Sequence, residues 1–98
     1  MKTIELDITR ELLDESREIV TRHPLMAGRS CIVALALQRQ AGLQDARVGR
    51  YRAWGRLFVI KLPQPARTLI EQFDAWTNPA GAYGPRPRAR RLRLRVGE

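Results

Sequence analysis

Three Arg and two aromatic side chains fall within one short stretch, Arg50-Tyr51-Arg52-Ala53-Trp54-Gly55-Arg56. Aromatic rings stack on bases while guanidinium groups neutralise phosphates. The same residue types are enriched at protein–protein hot spots. Arg50, Tyr51, Arg52, Trp54 and Arg56 are therefore the leading candidates for binding a partner. The bland alternative is that Tyr51 or Trp54 folds back to complete a small core and the Arg merely solvate a loop. A second cationic set, Arg91, Arg93 and Arg95, alternates with Leu92, Leu94 and Val96. That spacing puts three guanidinium groups on one face of a strand. They either face Glu5 and Asp7 of an N-terminal strand, as opposite charges across a strand pair, or form a free basic surface or edge offered to a partner.

The residues that could do covalent or acid–base chemistry are fewer. Cys31 is expected at the start of a helix, where the dipole can lower a thiol pKa. No base stands near it in sequence, and buried Cys more often act as small hydrophobes. His23, the only His, can shuttle a proton, but at the end of a helix it more often interacts with the last carbonyls. With one Cys and one His, neither an internal disulfide nor a Cys/His metal site is expected. No phosphate loop, paired-carboxylate constellation or metal-ligand spacing appears. The chain reads as a binding protein without catalytic residues, metal or cofactor.

Charge is distributed unevenly. Residues 1–20 carry six acids and three bases, residues 46–67 six bases and no acid, and residues 83–98 six Arg against Glu98. The net charge is +8, and the molecule is electrically bipolar along its sequence. The six N-terminal acids are expected to form a solvated face, with contact to a protein as the alternative. Arg makes up 16 of the 18 bases, a bias that a GC-rich genome also produces. A chain of 98 residues with 44% apolar content suits a single small domain spanning 1–98. No secretory signal and no membrane span are expected, and one unpaired thiol suits a reducing cytoplasm.

The elements that must position these residues follow from periodicity. Ile4, Leu6 and Ile8 alternate with Thr3, Glu5 and Asp7, a half-buried strand over 3–8. Thr9 can cap a helix whose stripe is Leu12, Leu13, Ser16, Ile19 and Val20, ended by His23-Pro24. The apolar run Cys31–Leu37 reads as a central helix over 31–41, with Ser30 as its cap and Gly42 at its C-terminal end. A helix apolar around most of its circumference must be covered on several sides. Residues 46–48 and 57–62 predict a hairpin with its turn at Gly55, and Gly49 marks a bulge or a strand end. Pro63 and Pro65 suit the first turn of a helix with the stripe Ala66, Leu69, Ile70, Phe73 and Trp76, stopped by Asn78-Pro79. Residues 77–89 form an irregular connector before the last strand. The order is βααββαβ, an α+β fold with three helices packed on a small, mainly antiparallel sheet.

A Cys-started Ile-Val-Ala-Leu-Ala-Leu helix, a Val48-Gly49 strand and Leu62-Pro63 leading into Leu69-Ile70-Glu71-Gln72-Phe73-Asp74 resemble small proteins encoded by phages and mobile elements. In those, a C-P-[IV]-A-x-A helix precedes a hairpin and a helix ending in F-x-x-x-F-D. The match covers roughly residues 3–76. Ile32 stands where Pro often follows the Cys, and the Arg-rich C-terminus is outside the pattern. These are packing motifs and carry no functional residues with them. Some small phage proteins of this kind are anti-CRISPR proteins. The resemblance therefore implies a stoichiometric inhibitor in the cytoplasm of a bacterial host, occluding a subunit of a CRISPR–Cas effector. The excess of positive charge argues against mimicry of DNA. The alternative expectation is a small basic nucleic-acid-binding protein using the same Arg on phosphates.

Overall fold

The computed structural model describes residues 2–78 and 84–97. Strand β1 (Lys2–Ile8) is followed by helix α1 (Arg10–Arg22), a 3-10 turn (Pro24–Met26), a four-residue helix α2 (Ala27–Ser30) and helix α3 (Ile32–Gln40). Three short strands come next: β2 (Arg47–Val48), β3 (Arg52–Trp54) and β4 (Val59–Lys61). Helix α4 (Gln64–Thr77) and strand β5 (Arg90–Gly97) complete the order. The class is α+β, with a five-stranded antiparallel sheet ordered β1-β5-β4-β3-β2.

Local chemistry explains most boundaries. The Thr9 hydroxyl accepts the Leu12 N–H at 3.1 Å and caps α1. Pro63 is the N-cap of α4 and Pro65 lies in its first turn, where a missing N–H costs nothing. Gly42 has φ +70°, the left-handed conformation that ends α3, while the Leu43 N–H reaches back to the Leu37 carbonyl at 3.1 Å. Helix α3 is buried from Ile32 to Leu37 because it packs against β1 on one side and α1, α2 and α4 on others. The all-round apolar run is satisfied by cover on several sides. In α1, buried Ser16 donates its hydroxyl to the Ser30 carbonyl, so the one polar residue of that stripe ties α1 to α2.

Several expectations need correction. Among the described residues, four helices and a 3-10 turn replace three helices, because residues 24–30 wind into turns instead of forming an open connection. Ser30 closes α2 and does not cap α3; the N-cap position is Cys31. The hairpin is a three-stranded meander, and Arg52-Ala53-Trp54 is its middle strand, not a loop. Gly49 N–H donates to the Arg52 carbonyl at 2.8 Å and Gly55 N–H to the Phe58 carbonyl at 3.1 Å. Each bond closes a two-residue loop, Arg50-Tyr51 and Arg56-Leu57. A side chain at Gly55 would run into the Phe58 ring and sit 2.8 Å from Asp45 Oδ1, so this turn demands Gly for space. In the connector, residues 84–89 are irregular, and 79–83 lie outside the described residues.

Candidate functional site

Antiparallel alternation sorts the sheet into two faces. Leu6, Ile8, Val48, Ala53, Ile60, Leu92 and Leu94 are buried beneath the helices. The other face carries no helix among the described residues. Its side chains are Glu5 and Asp7 from β1, Arg91, Arg93 and Arg95 from β5, Lys61 and Val59 from β4, Arg52 and Trp54 from β3, and Arg47 from β2, all exposed. Six cations face two carboxylates.

Register arranges these groups into rows. Arg52 pairs with Lys61, and the β4–β5 ladder ends at Ile60 opposite Val96, so Lys61 and Arg95 are the outward-facing residues that follow its last pair. Arg95 in turn pairs with Thr3. Three cations from three strands therefore stand in line, at strand spacings of about 4.8 Å. None of the three side chains has a hydrogen-bond or ion-pair partner among the described residues. Beside this row runs a second one, Arg47, Trp54 and Val59. Trp54 is 42% exposed and Val59 49%. The Trp54 ring lies over Gly49, where a Cβ would stand 3.0 Å from it. Leu57, in the loop before β4, is 98% exposed.

The predicted residues divide into three groups. Arg52, Trp54, Arg91, Arg93 and Arg95 share the helix-free face. Arg50 and Tyr51 occupy the β2–β3 loop and turn toward α4, where the Arg67 guanidinium carbon is 6.0 Å from the Tyr51 ring centre. Arg56 lies in the β3–β4 loop, its N–H donating to Asp45 Oδ2 at 2.6 Å. Neither Tyr51, 59% exposed, nor Trp54 completes the core, so the folded-back alternative fails. The cross-strand charge pairing is present in part: Glu5 opposes Arg93 and Asp7 opposes Arg91. Arg93 Nη2 lies 2.9 Å from Glu5 Oε1, whereas no ion pair joins Asp7 and Arg91 among the described residues. Arg47, Lys61, Val59 and Arg67 were missed. Alternation already put Arg47 and Lys61 on polar faces, but only the third strand brings Lys61 beside Arg52 and Arg47 beside Trp54.

The acids of α1 hold other Arg. Asp14 pairs with Arg86, Glu15 with Arg39 and Glu18 with Arg22. These pairs neutralise three of the cations around the helices. Cys31 is buried, and desolvation pushes its thiol up to about 11 despite backbone hydrogen bonds from Ala34 and Val33 that favour the thiolate. It is not a nucleophile at neutral pH. His23 is the exposed C-cap of α1. Among the described residues no helix is long and apolar enough to cross a membrane. In comparisons with family models, curated proteins and solved structures, nothing matches this chain.

Proposed function

We propose that the chain is a non-enzymatic binding protein that takes single-stranded nucleic acid on the helix-free face of its sheet. The observation that carries this reading is the unpaired row Arg52, Lys61 and Arg95 beside exposed Trp54. Phosphates follow the cation row while Trp54 offers its ring to a base. A flat sheet face suits splayed single strands; duplex grooves are entered by helices or ribbons. The test is fluorescence anisotropy with a labelled single-stranded oligonucleotide and its duplex. Single-strand binding should be the tighter. Trp54→Ala should cost about 1–3 kcal/mol of affinity without lowering the melting temperature. Equal affinity for strand and duplex, or an unaffected Trp54→Ala, would sink the proposal.

The exposed apolar side chains of Trp54, Leu57 and Val59 favour a second reading, a protein partner. Under it the chain is a phage or mobile-element inhibitor that occludes a subunit of a CRISPR–Cas effector in the bacterial cytoplasm. The complex would then survive nuclease treatment and high salt in a pull-down and be lost in a Leu57→Ala, Trp54→Ala double variant.

A further inference from the structure

An open cleft of about 410 Å³ lies on the helix side of the β2–β3 loop, away from the cationic sheet face. Its size falls within the ~300–1,000 Å³ of small-molecule sites. One wall is a stripe of α4, in which Arg67, Ile70, Glu71 and Asp74 recur at i, i+3, i+4 and i+7. The facing wall includes Val48 and Arg50, with Cys31 between the two.

The charges of this cleft are segregated. Arg50 and Arg67 flank the Tyr51 ring, with guanidinium carbons 5.9 and 6.0 Å from its centre. At 1.5 Å per residue, Glu71 stands about 6 Å and Asp74 about 10 Å along the helix from Arg67. Arg67 nevertheless makes no ion pair with Glu71, since the ion pairs among the described residues join other side chains. Its Nε is buried with no hydrogen-bond partner. Nε is thus closed off by protein, and the Nη groups, which no acceptor takes among the described residues, are what the guanidinium offers a ligand. A carboxylate fits the guanidinium fork in two-pronged fashion. Between the charged ends, Val48, Ile70 and the protonated Cys31 thiol offer apolar surface.

We propose that this cleft binds a basic α-amino acid, free or as the C-terminal residue of a peptide. The ligand carboxylate lies on Arg50 and Arg67, its aliphatic stem on Ile70 and Val48, and its side-chain cation toward Glu71 and Asp74. A nucleotide fits less well: the Tyr51 ring is already flanked by guanidinium groups, and the carboxylate end repels a phosphate chain.

The test is titration of the ¹⁵N-labelled full chain with L-arginine and with an acetylated peptide ending in Arg. At least one should give saturable shifts of the Gly28, Gly49 and Ile70 amides, and the tighter of the two identifies the source. Agmatine, which lacks the carboxylate, and inorganic phosphate, which lacks the cation, should bind at least tenfold more weakly. Arg67→Gln and Asp74→Asn should each weaken binding at least tenfold while both keep oligonucleotide affinity. Absence of saturable shifts with both probes would overturn the proposal. So would phosphate or agmatine matching the better probe, or full affinity in Asp74→Asn. Because the oligonucleotide is measured on the same variants, failure of the cleft and failure of the sheet face are read separately.

Discussion

At Cys31, burial decides chemistry that position in the sequence left open. A thiol at a helix start can become a thiolate, yet desolvation outweighs the backbone hydrogen bonds and lifts its pKa from 9.0 to about 11. The folded protein therefore favours the neutral thiol more than the unfolded chain does. From this group, stability should be unchanged below about pH 9 and should fall as pH rises from about 9 toward 11. Urea melts at pH 8 and pH 10 check the sign. At pH 8 a thiol-reactive dye should label Cys31 only after denaturant is added. Asp74 is displaced in the same direction, since partial desolvation raises its carboxyl above the ordinary value. Its charged form is disfavoured in the folded state, so Asp74→Asn should raise the melting temperature at pH 7. That gain should vanish at acid pH, where the wild-type carboxyl is already protonated.

Among the elements, the long β1–β5 pair and the short β2–β4 meander are held by different means. The long pair buries Leu6, Ile8, Leu92 and Leu94 on one face and bears Glu5 and Arg93 on the other. Burial outweighs the ion pair. Leu94→Ala should cost about 2–5 kcal/mol through transfer and cavity terms. Glu5→Gln should cost less than about 1 kcal/mol, because both partners are exposed and screened. Chemical denaturation of the two variants separates these values. The meander depends on its turns. Gly55→Ala forces a methyl into the space of the Phe58 ring and Asp45, so it should destabilise more than Gly42→Ala, where nothing lies within 4 Å and only the positive φ is strained.

Across the whole molecule, three of the four acids of α1 are paired with Arg22, Arg39 and Arg86 while the side chains of Arg52, Lys61 and Arg95 on the sheet stay unpaired among the described residues. The bipolar sequence thus places six cations on one face of the sheet, of which only Arg93 is ion-paired among the described residues. Each phosphate neutralised on a single strand contributes about −0.7 to the slope of log K against log salt. An Arg52→Gln, Lys61→Gln, Arg95→Gln variant should therefore flatten that slope by about 2 units. Its melting temperature should be unchanged, since all three side chains are solvated. A slope no flatter than wild type would count against the row as the phosphate track.

The local pattern of residues determined a good part of this protein. Alternation of Ile4, Leu6 and Ile8, and of Leu92, Leu94 and Val96, marked both long strands, and the stripes of α1 and α4 marked two helices. These signals are legible because each buried face repeats over several residues. The third strand was not legible: Arg52-Ala53-Trp54 buries only Ala53, and one buried residue makes no period. Its aromatic and cationic side chains were singled out as binding residues, but as members of a loop. The row of Arg52, Lys61 and Arg95 exists only through two cross-strand registers joining distant segments. The cleft likewise needs α4 and the β2–β3 loop brought together. Local spacing dictates which way a side chain points along its own strand, whereas long-range pairing alone decides what stands beside it.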